Sequence, residues 1–141
     1  MEPRISIITL GVSNLKASFD FYTKLGLESA KTPEEGIVFF KTRGTCLALY
    51  PLEALADDVS PAFAAEREGF SGITLAHNTR SKDEVDEVLR VAVEAGGKLE
   101  KPAQDVFWGG YSGYFSDPDG YLWEVAYGDC WEFNEDGSLV I

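Results

Sequence analysis

The sequence predicts an α+β fold built from two tandem βαβββ modules, and three observations carry that expectation. Ile8-Thr9-Leu10 precedes a helical run from Leu15 to Leu25, and Ile73-Thr74-Leu75 precedes a second from Lys82 to Ala95. Each half then closes with a short strand launched by glycine, Gly44 in the first and Gly120 in the second. An internal repeat of this kind sets the architecture before any motif is read, because two equivalent halves place equivalent strand positions around one cleft.

The elements follow in order. Ile5 to Val12 is rich in Ile and reads as a strand, and Ser13 or Asn14 supplies the oxygen that caps the following helix. Leu15, Phe19 and Tyr22 fall on one helical face, and Gly26 ends the run where a left-handed cap is needed. A strand within Leu27 to Lys31, a second at Gly36 to Lys41 and a third at Gly44 to Tyr50 complete the first module, about residues 4–50. Residues 51–70 lack a strand pattern and are expected to form a partly helical connector.

The second module, about residues 71–128, opens with a strand at Gly72 to His77. Ser81 with Glu84 three residues on makes a capping box ahead of Val85, Val88, Leu89 and Ala92, and Gly96-Gly97 stops the helix. Lys98 to Lys101 resumes extended structure, Pro102 turns out of it, and Val106 to Trp108, Tyr111 to Ser116 and Tyr121 to Tyr127 supply the remaining strands. In the extension 129–141, Asn134-Glu135-Asp136-Gly137 is a turn signal between Trp131-Glu132-Phe133 and Leu139-Val140-Ile141, and predicts a hairpin-like tail covering an edge.

At 141 residues, 45% of them hydrophobic, the chain suits one domain with a substantial core. The formal charge of -12 repels phosphate backbones and anionic lipid, which argues against nucleic-acid and membrane-surface roles and suits either plain solubility or a cationic ligand. No apolar run is long enough to span a bilayer and no secretory leader is evident, so a cytoplasmic protein is expected. Cys46 and Cys130 lack framework spacing and read as reduced thiols.

Two segments resemble the vicinal oxygen chelate superfamily of glyoxalases, bleomycin resistance proteins and extradiol dioxygenases. The first is Leu10-Gly11-Val12-Ser13-Asn14-Leu15 with Ser18-Phe19-Asp20-Phe21-Tyr22 and Leu25-Gly26-Leu27; the second is Asp117-Pro118-Asp119-Gly120-Tyr121-Leu122-Trp123-Glu124. The resemblance implies a glyoxalase-like fold, its modules forming a curved mixed sheet around a cleft, usually as a homodimer. It also implies a divalent metal held by side chains on the first and last strands of each module. The matching positions here are Ile7, Ala48, Gly72 and Glu124, and of these only Glu124 carries a donor atom. His77, the sole histidine, lies five residues past Gly72 and points to the other face of a strand. One carboxylate falls short of the three protein ligands usual in catalytic zinc sites, so no tightly bound metal or other cofactor is expected.

Strand alternation places Ile7, Thr9, Cys46, Ala48, Tyr50, Gly72, Thr74, Leu122, Glu124 and Ala126 on the cleft face, a mostly apolar lining suited to an organic molecule. Thr9, Tyr50, Thr74 and Glu124 are its candidate ligand-binding residues, and Trp108 and Tyr111 are added as aromatic surface beside Gly109-Gly110. Glu124, if desolvated, would also be a general acid or base. The expected activity is metal-independent binding of a small organic or cationic molecule. The alternative is a lyase, isomerase or dioxygenase using Glu124 with a weakly held divalent metal. A third reading is an interaction module whose groove Trp108 and Tyr111 fill.

Overall fold

The computed structural model describes residues 1–63, 69–107 and 109–140, and divides into two compact units, Met1–Ser71 and Gly72–Ile141. In the first unit, β1 (Ile7–Val12) leads into α1 (Leu15–Lys24), followed by β2 (Val38–Phe40), β3 (Cys46–Pro51) and α2 (Leu52–Val59). Asn14 is the cap of α1, its side-chain oxygen accepting from the Ala17 N–H at 3.0 Å. The sheet order is β1-β3-β2, with β1 parallel and β2 antiparallel to β3.

Phe19 and Tyr22 of α1 pack on Phe40 of β2 with ring centroids 5.9 and 5.7 Å apart, so the strand positions that alternate with Phe40's register meet α1. Leu10, Val12, Val38, Leu47 and Leu49 share that side and are buried with it. The opposite face carries Ile7, Thr9 and Gly11 of β1. There α2 packs so closely on β1 that a Cβ on Gly11 would lie 2.6 Å from Leu52 Cδ1.

Two expectations for this unit change. The strand within Leu27 to Lys31 is reduced to one bridge, Ser29 with Phe40, because the Ser29 hydroxyl accepts the Lys31 N–H and so bends the backbone into a local turn. The strand expected from Gly36 begins at Val38, since Pro33–Glu35 form a 3₁₀ turn closed by Gly36 at φ 83°. Of the connector, α2 is helical as expected, and residues 64–68 lie outside the described residues.

The second unit contains the complete βαβββ order: β4 (Leu75–Asn78), α3 (Lys82–Ala95), β5 (Lys98–Asp105), β6 (Tyr111–Ser116) and β7 (Leu122–Tyr127). Its sheet runs β4-β7-β6-β5, the β4–β7 pair parallel and the β7–β6 and β6–β5 pairs antiparallel. Ser81 Oγ accepts from the Glu84 N–H at 3.2 Å, while the Glu84 carboxylate reaches back to the Arg80 N–H at 2.7 Å, one residue before the cap. Val85, Leu89 and Ala92 of α3 are buried together with Phe115 and Val125 of the sheet. Gly113 lies directly beneath this helix: a Cβ there would be 2.7 Å from Leu89 Cδ1 and 2.8 Å from the Lys101 carbonyl oxygen.

Here too the structure departs from the expected elements. β4 starts at Leu75, leaving Gly72 outside it at φ 76°. β5 continues through Pro102 with register shifts on both sides of Lys101; as the edge strand, it loses no ladder bond to the missing proline N–H. Val106 is not in a strand, because its N–H and carbonyl close the β5–β6 turn onto Gly110 and Gly109. The tail forms the expected narrow hairpin, with Phe133 bridged to Leu139, and Arg80, just beyond edge strand β4, stacks over Phe133 at 4.5 Å. Ile141 lies outside the described residues.

His77 pairs with Val125, which pairs with Gly113, so it sits on the α3 side of the sheet. Part of its surface stays exposed, yet burial holds the imidazole below its usual pKa, against the opposing pull of Glu84's charge. A depressed histidine pKa means that the unfolded chain takes up the proton first. Stability is therefore full above the unfolded pKa and falls as pH drops through it toward the folded value. Urea midpoints should decline from about pH 7 to pH 5, and His77→Asn should flatten that part of the profile; an unchanged slope in the variant refutes the assignment. Gly113→Ala should cost about 1–3 kcal/mol in urea unfolding, since backbone atoms of β5 block the new methyl. Gly11→Ala should cost less, because its nearest obstacle is the movable end of Leu52.

Candidate functional site

β7 lies between β4 and β6, and its register sets up the site. Glu124 is paired with Ala76 on one side and Tyr114 on the other, and Tyr114 is paired with Lys101. One step along, Ala126 lies between Asn78 and Ser112, and Ser112 is paired with Gln104. Because Gly113 faces α3, its neighbours Ser112 and Tyr114 face away from it, and pairing carries that orientation to Glu124 and Ala126. The face away from α3 thus presents Lys101, Tyr114 and Glu124 in one row and Gln104, Ser112 and Asn78 in the next.

These side chains border a depression of about 350 Å³, lined by Lys101, Gln104, Ser112, Tyr114 and Glu124, with Val106 and Phe107 of the β5–β6 turn and Asp105, which is paired with Lys82, at its edge. The Lys101 ammonium lies 5.9 Å from the Tyr114 ring centroid. The Tyr114 phenol is held above its usual pKa first by burial, then by hydrogen bonding to Glu124 and by that carboxylate's charge. Glu124 is half-buried. A larger depression of about 460 Å³ lies between α3 and β5, lined mainly by apolar groups including Leu89, Val93, Leu99 and Pro102. Its charged groups are already engaged: Arg90 with Glu87 and Glu94, and Asp86 with the Tyr111 hydroxyl. It offers burial without a free polar group, so the smaller site has the richer chemistry.

The residues expected from the sequence fall in several places. Leu122, Glu124 and Ala126 share the face just described, and Ile7–Cys46, Thr9–Ala48 and Gly11–Tyr50 are paired on the face of the first unit away from α1. Thr74 lies just before β4. Tyr111 is a correction: its pairing with Tyr127 puts it on the α3 side, where its hydroxyl donates to Asp86 at 3.0 Å and Lys82 sits 5.2 Å from its ring. Burial and the Asp86 hydrogen bond raise its pKa in turn. Trp108 lies outside the described residues. Lys101 and Gln104 were missed because the irregular register of β5 hides which of its residues share a face, and Ser112 and Tyr114 of β6 were not singled out. Ser112 and Tyr114 were both within reach, as the positions flanking a glycine needed beneath a helix.

Gly72 is also corrected as a ligand position. Counting back seven residues from the helix caps Asn14 and Ser81 reaches Ile7 and Thr74, so Thr74, not Gly72, is the counterpart of Ile7. The pairing of Ala48 with Thr9 and of Glu124 with Ala76 agrees with that alignment. Neither isoleucine nor alanine can coordinate, and among the described residues no group of three or more His, Cys, Asp or Glu could hold a metal ion. These side chains do not fit the family's divalent metal.

Residues 4–125 match the family model described as Glyoxalase/Bleomycin resistance protein/Dioxygenase superfamily. A solved glyoxalase-related enzyme from Fulvimarina pelagi is similar at 35% identity and TM-score 0.88, over 99% of this chain and 98% of that one. Lactoylglutathione lyase from Agrobacterium tumefaciens is similar at 27% identity and TM-score 0.68, over 95% and 100% of the two chains. A glyoxalase/bleomycin resistance protein/dioxygenase from Nocardioides is similar at 28% identity and TM-score 0.70, over 91% and 85%. Among curated proteins none matches this sequence. On the family match and the 35% relative, the chain belongs to the glyoxalase, bleomycin resistance protein and dioxygenase superfamily.

Proposed function

We propose that this chain binds a small organic molecule on the β7–β6–β5 face around Glu124 without a resident divalent ion. The observation that supports this is the donor set. Glu124 stands among Ala76, Tyr114 and Lys101, a row that puts an alanine and an ammonium, and no histidine or second carboxylate, beside it. A lysine in that row disfavours a divalent ion by charge as well as by chemistry. The protein acts by holding its ligand, as a homodimer in the cytoplasm. The last two points rest on the family resemblance and on composition; no helix among the described residues is long and apolar enough to cross a membrane.

A second reading is a metal-dependent lyase or related enzyme in which Glu124 is one ligand. It is favoured by the 27% identity to a lactoylglutathione lyase. In it Tyr114, with its raised pKa, remains protonated at neutral pH and is placed to donate a hydrogen bond beside the carboxylate.

Metal analysis of the purified chain separates the two. Well under one equivalent of zinc, nickel, manganese or iron per chain, with ligand-induced thermal shifts unchanged by chelator, is the expected result. Stoichiometric metal that Glu124→Gln releases would establish the lyase reading instead. The local electrostatics are tested by ultraviolet difference titration against Tyr114→Phe: the Tyr114 transition should lie above the ordinary value of about 10. In Glu124→Gln it should move down only part of the way, because burial is the larger cause. A transition at the ordinary value rejects the Tyr114–Glu124 contact.

A further inference from the structure

Resting on the small-molecule reading above, the distribution of unpaired polar groups within the 350 Å³ site identifies its ligand more narrowly. Three other cations of the second unit have acidic partners, Lys82 with Asp105, Arg90 with Glu87 and Glu94, and Lys98 with Glu100, while Arg80 stacks over Phe133 away from the site. Lys101, half-buried in a chain of net charge -12, has no carboxylate partner among the described residues and lies over the Tyr114 ring. Beside it, Ser112 is 2% exposed, and its hydroxyl has no hydrogen-bond partner among the described residues. No fully occluded side-chain polar atom goes unpartnered in the described structure, so that hydroxyl must open onto the depression it lines. A nearly buried hydroxyl without a partner costs free energy, and a bound acceptor would recover it.

We infer that the site takes an organic acid, with its carboxylate seated among Lys101, Gln104 and Ser112 and a hydroxyl or amine donor at its far end meeting Glu124. The strands account for that polarity. β5 and β7 flank β6, so the backbones carrying Lys101 and Glu124 are about 10 Å apart at ordinary strand spacing. A ligand spanning Tyr114 therefore meets positive charge at one end and an acceptor at the other. With the lining Asp105 already paired to Lys82, the ammonium of Lys101 matches one carboxylate, and a doubly charged phosphate would leave a charge unmatched in a site that also contains Glu124. The overall acidity of the chain does not oppose this, because surface charge is screened beyond about 8 Å at physiological salt, whereas Lys101 would be in contact.

The test is isothermal titration calorimetry on the whole chain, freed of metal by chelator, with four probes: 4-hydroxyphenylacetate, its neutral amide, phenylacetate and tyramine. The acid should bind at least about tenfold tighter than the amide. Lys101→Met should abolish that preference, weakening the acid at least about tenfold more than the amide, with the chain still folded by its urea transition. Loss of the ring hydroxyl, in phenylacetate, should weaken binding to the native chain but not to Glu124→Gln. Equal binding of acid and amide, an acid preference that survives Lys101→Met, or no binding of the acid overturns the inference. Binding of tyramine or the amide alone would do so while leaving the small-molecule reading intact. Acid binding that appears only after a divalent ion is added would retain the acid preference and reject metal-free binding.

Discussion

The structure of the candidate site depends on the register of β7 between two neighbours of opposite sense. Parallel pairing with β4 places Ala76 beside Glu124, and antiparallel pairing with β6 places Tyr114 on its other side. A slip of one residue in either ladder would move Glu124 to the α3 face and replace it with an apolar neighbour, Trp123 or Val125. What prevents the slip is the helix. Gly113 fits beneath Leu89 where no side chain would, and Val125 is fully buried on the same side. The packing that gives the second unit its core therefore also determines which side chains reach the other face.

That dependence explains why the second unit, more than the first, carries chemistry. Its outward rows hold Lys101, Tyr114, Glu124, Gln104 and Ser112 across three strands. The equivalent row of the first unit is Thr9, Ala48 and Phe39, with α2 packed over Gly11 on the same face. Duplication preserved the pairing pattern while the side chains diverged. The counterpart of Glu124 is Ala48, fully buried, so a carboxylate there would be desolvated without any visible partner.

The edges of the second sheet show how an irregular strand can still present a defined site. β5 carries Pro102 and two register shifts, yet Lys101 remains opposite Tyr114 and Gln104 opposite Ser112. Bulges at a sheet edge re-aim side chains without disturbing the interior ladder. The turn that follows, closed by the Gly109 N–H to the Val106 carbonyl, leaves Phe107 fully exposed at the margin of the depression. An exposed phenylalanine beside polar groups gives such a site an apolar wall for the body of an organic ligand.

The sequence by itself determined the helices, the duplicated order and the family. Asn14, Ser81, Gly26 and Gly96 act through local capping geometry, and the Phe19–Tyr22 and Val85–Leu89 spacings report helical faces within a few residues. It also placed a carboxylate at Glu124 and non-coordinating Ile7 and Ala48 at the matching positions, since these need only counting along one chain. The tertiary structure decided which faces those residues share. Tyr111 turned to α3 and Asp86, Thr74 displaced Gly72 as the counterpart of Ile7, and Lys101 and Ser112 entered the site. The physical reason is that strand alternation is a period of two: one bulge, one proline in an edge strand or one misplaced strand start reverses every face that follows. Only hydrogen-bonded neighbours and a packed helix can say which reversal occurred.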